Sequence, residues 1–240
     1  MKAVILAAGM GTRLREHHQL PKGFLVIDEK PIIQESIQIL RMHGIQEILI
    51  VTGYGAEHYE QLTVYDKRIT TVKNDIYAES GSLYSLYCAR DWIDSDFLLL
   101  ESDIVYEACA IPLLCAAPKD NVILVSGATH SNDEIYVEAQ HRRLINMSKD
   151  KTQLISRDVL GEFVGINKIS LNAYRQLINL IEPEQTILRS GNYEEDGLVR
   201  LAQQTPINCL LIQDLLWGEI DNIEHLTRVK QLYHYMRNTI

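Results

Sequence analysis

The chain begins Met1-Lys-Ala-Val-Ile-Leu-Ala-Ala-Gly-Met-Gly-Thr-Arg13, and this stretch already indicates a fold class. The apolar run Ala3–Ala8 predicts a buried parallel strand. Gly9 and Gly11 follow it, and glycines at such a turn allow positive φ angles and a close approach of backbone N–H groups to a ligand. Successive N–H groups form an anion site that a following helix N-terminus strengthens. The opening therefore predicts a triphosphate-binding turn after a central strand.

Other uses of this turn remain open at this point, because any strand-to-helix turn can contain glycine. A dinucleotide-binding turn would need a third glycine where the chain has Leu14, and the P-loop ending Gly-Lys-Ser/Thr is absent. Arg13 and Lys22 bring positive charge to the same turn. The residues that we expect at the nucleotide here are Leu6, Ala8, Gly9, Gly11, Thr12, Arg13 and Lys22.

Composition and charge narrow the class of partner. The chain has 240 residues, of which 46% are hydrophobic and 23% are charged, as in ordinary globular proteins. Its net charge is −9 and it has no basic block, which argues against a polymeric nucleic acid as partner. An acidic protein that binds a triphosphate has to concentrate its positive charge locally and recruit a divalent cation.

The sequence predicts one cytoplasmic domain, residues 1–240. Its apolar runs are far shorter than the roughly 20 residues of a membrane span, so we expect no membrane association. Met1-Lys2 leads directly into the first strand with no signal peptide ahead of it. The four cysteines have no metal-binding or redox spacing and are expected to be reduced thiols.

Strand-like and helix-like patterns alternate along the chain, which predicts an α/β fold with a doubly wound, mostly parallel sheet flanked by helices. Gly23–Ile27 is interpreted as a short strand. Residues 135–138 and 144–148 are interpreted as a small antiparallel insertion that covers the sheet. A closing amphipathic helix is expected over residues 223–239.

The segment Asn74–Leu86 is a polar loop that leads into a helix. If it lies at the carboxyl edge of the sheet, its backbone near Ala78 and the side chain of Ser82 could contact the edge of a base. The simpler interpretation is a loop with Ser80 as the helix N-cap.

Carboxylates follow two apolar strands. Asp103 ends the run Phe97–Asp103, and ligands of open α/β sheets bind beyond the carboxyl ends of strands. In Leu216–Asp221, the alternation of an extended chain puts Glu219 and Asp221 on one face. Because Mg²⁺ prefers carboxylate and phosphate oxygens, we expect Asp103 and Asp221 to be its ligands, with Glu219 adjoining. A turn cap and simple polar alternation are the alternatives.

A further group of residues is a candidate acceptor pocket. Asp133 lies in a polar loop that could face a cation or simply be solvated. Lys149 and Lys151 leave the second insertion strand, where a solvated charged turn is the alternative. Asn192–Gly197 contains three acids, either as a pocket for an amine or as a helix cap formed by Asn192 and Glu195. The candidates in that segment are Tyr193, Glu195 and Asp196.

Taken together, these motifs resemble the GT-A-like nucleotidyltransferases, which join a nucleoside triphosphate to a sugar phosphate or an alcohol phosphate. The resemblance spans essentially the whole chain, through Leu6–Arg13, Pro21-Lys22, Asn74–Leu86, Asp103 and Glu219–Asp221. It implies a Mg²⁺-dependent enzyme in which Arg13, Lys22 and Asp103 are catalytic. In similar enzymes the loop after residue 74 contacts the pyrimidine, and the lysine that corresponds to Lys149 or Lys151 holds the acceptor's phosphoryl group.

The pattern is most similar to the cytidylyltransferases that activate phosphocholine or 2-aminoethylphosphonate, with CTP as the second substrate. Phosphocholine enzymes have aromatic acceptor pockets for the quaternary ammonium, whereas the corresponding segment here is Tyr193-Glu-Glu-Asp196. Carboxylates accept hydrogen bonds from a primary ammonium, which favours 2-aminoethylphosphonate. Phosphocholine and sugar or inositol phosphates are the alternative acceptors. The sequence leaves open the choice of CTP over UTP, the number of metal ions and whether the enzyme is a homodimer.

Two other classes of protein are alternatives. A glycosyltransferase that consumes a nucleotide sugar usually has Asp-x-Asp at the metal strand, where this chain has Glu101-Ser-Asp103. A nucleotide-binding regulatory subunit would not be expected to retain Arg13, Lys22, Asp103 and Asp221 together.

Overall fold

The computed structural model describes residues 1–155 and 159–238, which form an α/β fold around a nine-stranded sheet. The strands are β1 (Lys2–Ala7), β2 (Val26–Ile27), β3 (Lys30–Pro31), β4 (Ile48–Thr52), β5 (Ile69–Lys73), β6 (Phe97–Glu101), β7 (Ile104–Tyr106), β8 (Val122–Ser126), β9 (Tyr136–Gln140), β10 (Arg143–Ser148), β11 (Val159–Ile169), β12 (Asn208–Ile212) and β13 (Trp217–Glu219).

The helices lie on both faces of the sheet. They are α1 (Ile32–Met42), α2 (Ala56–Tyr65), α3 (Ser82–Cys88), α4 (Ala110–Ala116), α5 (Leu171–Ile181), α6 (Gln185–Arg189), α7 (Glu194–Ala202) and α8 (Ile223–Asn238). None of the helices within the described ranges combines the length and the apolar character that crossing a bilayer requires. The end predicted for the last helix, at Thr239, lies outside the described residues.

The strand order in the main sheet is β5-β4-β1-β6-β11-β8-β12-β10-β9. Strands β5, β4, β1 and β6 are parallel, but β11 runs antiparallel to both β6 and β8. The α/β class with flanking helices is therefore confirmed, whereas the sheet is mixed rather than mostly parallel. The predicted insertion, β9 and β10, does not cover the sheet but extends it, because β9 also pairs with β11 and so leaves fewer backbone groups unpaired.

Strand β1 is buried on both of its faces, which explains why its sequence is continuously apolar. Val4 and Leu6 pack into the core on one side of the sheet, and Ala3, Ile5 and Ala7 pack into the core on the other side. The glycine turn follows directly, so the opening stretch is anchored at the centre of the molecule.

The small sheet formed by β7 and β13 joins two distant parts of the chain. Glu219 is opposite Ile104 in the antiparallel register, and the N–H of Ile220 donates to the carbonyl of Asp103 at 3.0 Å. Asp103 precedes β7 and Asp221 follows β13. The pairing therefore places these two aspartates at the same end of the small sheet.

Three local predictions were wrong. The strand predicted over Gly23–Ile27 is confirmed only for Val26–Ile27, which form β2. Gly23 lies instead in a 3-10 turn, Lys22–Phe24, where a Cβ would meet the Tyr59 hydroxyl at 2.7 Å. Helix α7 is capped by Asp196, whose carboxylate accepts from the N–H of Tyr193 at 2.9 Å, and not by Asn192 and Glu195.

The third wrong prediction is the Ser80 cap. The N-cap of α3 is Gly81, with no side-chain cap bond. The Ser80 hydroxyl donates instead to the carbonyl of Ile76 at 2.9 Å, within the preceding loop.

Candidate active site

A cleft of about 450 Å³ opens beyond the carboxyl ends of β1 and β6, a size suited to a small ligand. Both strand ends that the sequence singled out contribute to its walls. Its lining includes Leu6, Ala8, Gly9, Gly11, Thr12, Arg13, Lys22, Ala78, Ser82, Glu101, Asp103, Lys149, Tyr193, Glu195, Glu219 and Asp221.

The glycine turn forms one wall of the cleft. Gly11 has φ +58, a left-handed conformation that other residues rarely adopt, and its carbonyl accepts from the N–H of Leu14 at 3.0 Å. The turn continues into a 3-10 turn, Thr12–Leu14, and not directly into an α-helix. Arg15 holds the turn from outside, because its Nε donates to the Met10 carbonyl at 3.2 Å while its guanidinium lies 4.3 Å from the centre of the Tyr54 ring.

Lys22 lies between the two aspartates that the sequence assigned to a metal. Its Nζ donates to Asp103 Oδ2 at 2.7 Å and also to Asp221 Oδ1. Burial alone would lower the pKa of Lys22, but the charges of Asp103 and Asp221 outweigh burial and raise that pKa above its ordinary value. Burial alone would raise the pKa of Asp221, but the Lys22 ammonium lowers it well below its ordinary value. Arg13 adds a cation 3.7 Å from Asp221 Oδ2.

More carboxylates converge beside this ion pair. Oxygens of Glu101, Asp103 and Glu219 all lie within 4.8 Å of one another. Burial, followed by the charges of Asp103 and Asp221, raises the pKa of Glu219 well above its ordinary value. The donor set suits a hard divalent cation, and the Lys22 ammonium shows that a positive charge is accommodated between the two aspartates. Glu101 is a cleft residue that was not predicted from the sequence.

The loop before α3 forms the opposite wall. Asn74 is fully buried, and its side-chain amide donates to the hydroxyls of Ser80 and Ser85, both at 3.0 Å, while its Oδ1 accepts from the N–H of Ile76 at 3.0 Å. This network fixes the loop that carries Ala78. Asn74 is therefore a positioning residue that the sequence signalled only as the start of a polar segment.

The Ser82 hydroxyl is already engaged within the protein. It donates to Glu194 Oε2 and accepts from the backbone N–H of Glu194 at 2.9 Å. Contact with a base would therefore depend on the backbone of this wall. Glu194, which sequence analysis did not single out, is completely buried directly behind it.

The candidate acceptor residues do not all reach the cleft. Lys149 lines it and donates to Asp133 Oδ1 at 2.7 Å, so Asp133 lies behind Lys149. Lys151 is placed 4.1 Å from the centre of the Tyr136 ring and is not part of the lining.

The residues of the acidic segment Asn192–Gly197 also differ in whether they line the cleft. Tyr193 is 57% exposed and lines the cleft with Glu195, whereas Asp196 caps α7 and does not line it. Burial, followed by the charge of Glu194, raises the pKa of Glu195 to about 8.

Comparison with known proteins identifies the family of this chain. Residues 3–234, nearly the whole chain, match the family model described as the MobA-like NTP transferase domain. The protein belongs to this family. In this MobA-like NTP transferase domain, the glycine turn lies at the carboxyl end of β1, as the sequence predicted.

Two curated relatives of this transferase are informative. The chain is 32% identical over 234 residues, 92% of its length, to the CMP-5'-(3-aminopropyl)phosphonate synthase of Streptomyces rubellomurinus, of which 37% is covered. It is 39% identical over 101 residues, 41% of its length, to the choline-phosphate cytidylyltransferase of Streptococcus pneumoniae, of which 43% is covered. The matches thus cover less than half of the length of these relatives.

Solved structures share the fold of the transferase. A CTP:phosphocholine cytidylyltransferase from Streptococcus pneumoniae superposes with a TM-score of 0.76 at 19% identity, covering 97% of this chain and 98% of the other. The inositol-1-phosphate CTP transferase of T. maritima gives 0.81 at 18% identity, covering 98% and 96%. At these identities, the likeness supports the fold and leaves the substrate to be argued from the site.

Proposed function

We propose that residues 1–240 act as a single cytidylyltransferase domain that transfers CMP from CTP to a small amine-bearing phosphonate or phosphate, with 2-aminoethylphosphonate as the preferred acceptor. The observation that carries this proposal is one cleft with two groups of lining residues, which we name after their proposed roles. Lys22, Asp103 and Asp221, together with the glycine turn, form the nucleotide end, and Glu195 and Lys149 form the acceptor end. The name of the aminopropylphosphonate relative supports the same class of acceptor.

The nucleotide end would hold the triphosphate. The backbone N–H groups of Gly9–Thr12 form the anion site, and Arg13 and Lys22 supply mobile positive charge. Because Lys22 contacts both aspartates in the structure, it has to exchange at least one of these contacts for a phosphate oxygen when CTP binds. The backbone around Ala78 would face the base.

Asp103 and Asp221, which both contact Lys22, would hold Mg²⁺ with Glu219 adjoining, because Mg²⁺ prefers carboxylate oxygens. Oxygens of Glu101 and Glu219 lie within 4.8 Å of Asp103. When bound, this ion would neutralise negative charge on the reacting phosphates. The protein's own cations cannot supply that charge alone, because Lys22 and Arg13 are already balanced by Asp103, Asp133 and Asp221.

The chemical step is an in-line displacement. An oxygen of the acceptor's phosphonate attacks the α-phosphorus of CTP, the bond from this phosphorus to the bridging α,β-oxygen breaks, and pyrophosphate leaves with the electron pair. The attacking oxygen is already anionic, so no covalent enzyme intermediate or general base is needed. Positioning and charge stabilisation by Lys22, Arg13 and Lys149 would provide most of the acceleration.

Phosphocholine is the second candidate acceptor. Tyr193 presents an exposed ring at the cleft, and an aromatic face can attract a quaternary ammonium. The name of the Streptococcus pneumoniae relative points in the same direction. Against it, the cleft that Tyr193 lines is also lined by Glu101 and Glu195, whose carboxyl groups can accept hydrogen bonds from a primary ammonium but not from a trimethylammonium.

A pyrophosphate-release assay tests the proposal. CTP or UTP is combined with Mg²⁺ and, in turn, with 2-aminoethylphosphonate, 3-aminopropylphosphonate, phosphoethanolamine, phosphocholine, inositol phosphate or glucose 1-phosphate. We expect the highest kcat/KM with CTP and 2-aminoethylphosphonate, and no release without Mg²⁺. Turnover only with a sugar or inositol phosphate, or no turnover with any acceptor, would overturn the proposal.

A further inference from the structure

The turn that follows β4 packs against both ends of the loop that contains the glycine turn. We call this loop, residues 8–21, the glycine loop. At its start, the N–H of Tyr54 donates to the carbonyl of Ala8 at 3.3 Å. At its end, a Cβ at Gly55 would lie 2.5 Å from Pro21 Cγ, a distance that no side chain could occupy without displacing the proline ring. Both ends of the glycine loop are therefore fixed against the same turn.

The side chain of Tyr54 holds the glycine loop between these ends. Its hydroxyl donates to the carbonyl of Gln19 at 2.9 Å, and the Arg15 guanidinium lies 4.3 Å from the centre of its ring. A cation at this distance is attracted to the face of an aromatic ring. Arg15 also donates through Nε to the carbonyl of Met10, between the two glycines, at 3.2 Å. One tyrosine is thus linked both to the glycine turn and to the end of the loop.

These contacts act on the loop and not on a ligand in the cleft. Tyr54 and Arg15 are not among the residues that line the cleft, whereas Met10 is. The middle of the loop has little else to hold it, because of residues 12–20, all of which the structure describes, only Leu14 is buried. A segment with so few buried apolar contacts opens at a low cost in free energy.

A glycine loop released from these contacts would bind a triphosphate less tightly. The backbone N–H groups of Gly9–Thr12 form an anion site only while they point to the same place. If only a fraction of the molecules has that arrangement, the apparent affinity for the ligand is reduced by that fraction. Contacts that hold the loop in the free enzyme therefore strengthen binding without touching the nucleotide.

We propose that Tyr54 is a positioning residue, which together with Arg15 holds the glycine loop in the conformation that binds the triphosphate of CTP. This inference rests on the proposed function and deepens it. Because bound CTP would itself hold the loop, the contacts of Tyr54 matter before the nucleotide binds. They should set the affinity for CTP and leave the chemical step unaffected.

The test removes the contacts of Tyr54 one at a time. Tyr54→Phe keeps the ring beside Arg15 and loses the hydrogen bond to Gln19, whereas Tyr54→Leu loses both contacts. The control is Tyr65→Leu, at a tyrosine that is 89% exposed at the end of α2 and outside the cleft. Isothermal titration calorimetry with Mg²⁺ and without acceptor gives the dissociation constant of CTP, and steady-state kinetics with 2-aminoethylphosphonate give kcat and both KM values.

We expect Tyr54→Leu to raise the dissociation constant and the KM of CTP about tenfold, as a tenfold smaller competent fraction requires. Tyr54→Phe should raise them about threefold, the size of one lost hydrogen bond. The kcat and the KM for the acceptor should change less than about twofold in both variants, and Tyr65→Leu should leave every constant unchanged. Unchanged CTP affinity in Tyr54→Leu, or a fall in kcat without a change in the KM for CTP, would overturn the inference.

A double variant tests whether Arg15 and Tyr54 act together. Arg15→Gln should raise the KM for CTP about threefold, the size of a lost contact between a cation and an exposed ring. Because the two side chains share that contact, Arg15→Gln combined with Tyr54→Leu should raise the KM by clearly less than the product of the single effects, about thirtyfold. Multiplicative effects would show that the two residues act independently and would overturn their joint role.

Limited proteolysis measures the loop itself and needs no activity. Trypsin cleaves after arginine, and Arg13 and Arg15 are both exposed in the glycine loop. Cleavage at these two sites, identified by mass spectrometry, should be at least about threefold faster in Tyr54→Leu than in the wild type or Tyr65→Leu, because it follows the population of the open loop. Equal rates would overturn the inference. If Tyr54→Leu does not fold, Tyr54→Phe takes its place with the smaller expected effects.

Failure of this inference and failure of the proposed function give different results. A wild type that turns over no amine-bearing acceptor, or does not bind CTP, overturns the proposed function, and the cleavage rates still decide whether Tyr54 holds the loop. An active wild type with an unaffected Tyr54→Leu variant overturns only this inference.

Discussion

The two ends of the cleft are both rich in acids but balance them differently. At the nucleotide end, Lys22 and Arg13 are paired with Asp103 and Asp221, and the pKa of Asp221 is lowered. At the acceptor end, carboxyl groups crowd together with few cations, and the pKa of Glu195 is raised. Under the proposed function, the first end exchanges its cations for a triphosphate and a metal. The second end is short of positive charge, and a cationic acceptor would provide it.

The largest effect on turnover should come from removing a carboxylate at the nucleotide end. Asp103→Asn removes a negative charge that contacts Lys22 and that is proposed to bind the metal. We expect turnover to fall by about 100- to 1,000-fold, the range typical of losing one preorganised electrostatic contact. Pyrophosphate release measures the effect, and circular dichroism should show an intact fold. The control Asp75→Asn changes an exposed aspartate, and activity near the wild-type level in Asp103→Asn would refute the assignment.

Lys22→Gln tests two roles of the lysine: it would hold the triphosphate, and it competes with a metal ion for Asp103 and Asp221. Turnover should fall by about 100-fold because positive charge at the triphosphate is lost. In the absence of nucleotide, however, Mn²⁺ should bind about tenfold more tightly, because the ammonium no longer competes for Asp103 and Asp221. Electron paramagnetic resonance gives the Mn²⁺ affinity, with Lys30→Gln, at a partly exposed lysine outside the cleft, as control. Weaker Mn²⁺ binding in Lys22→Gln would contradict the expectation that the Lys22 ammonium and the metal ion occupy the same position.

At the acceptor end, the two lysines of the loop after β10 are expected to differ. Lys149→Ala should raise the KM for the acceptor about tenfold, the size of a lost charge-assisted hydrogen bond, because Lys149 lines the cleft. Lys151→Ala should change it less than about twofold, because Lys151 lies over Tyr136 away from the cleft. Steady-state kinetics with varied acceptor measure both variants, and equal effects would argue against the position of the phosphoryl group proposed here.

The smallest effect concerns pH and Glu195. Because its pKa is raised from 4.5 to about 8, the folded protein keeps a proton that the unfolded chain loses over this window. The free energy of unfolding therefore falls as pH rises from about 4.5 to about 8, and Glu195→Gln should make that fall shallower. Urea unfolding across this pH range measures the slope, with the exposed Glu57→Gln as control. An unchanged slope in Glu195→Gln would show that Glu195 titrates normally.

Much of the nucleotide end could be predicted from the sequence because its signals are local. The glycine turn follows an apolar strand, and Asp103 follows another, so the rule that ligands bind beyond strand ends was enough to place both. Glu101 could have been found by the same reasoning, since it ends β6 two residues before Asp103. The prediction used only Asp103, although both acids follow the apolar run Phe97–Leu100.

The acceptor end was predicted less well because its contacts are made between distant segments. Glu194 meets Ser82 across 112 positions of the chain, and no local pattern distinguishes it from Glu195 or Asp196. Lys149 and Lys151 look equivalent in sequence, but one side chain enters the cleft and the other packs on an aromatic ring. The capping role of Asp196, too, depended on where α7 begins.

The sequence by itself determined the α/β class, the glycine turn and the residue types of a nucleotidyltransferase, because strand burial and turn chemistry are properties of short segments. Only the tertiary structure decided that β11 runs antiparallel, that β7 and β13 bring Asp103 to Asp221, and that Glu194 is buried behind Ser82. These outcomes depend on which distant backbone groups satisfy each other's hydrogen bonds, and that choice is made by the packing of the whole chain.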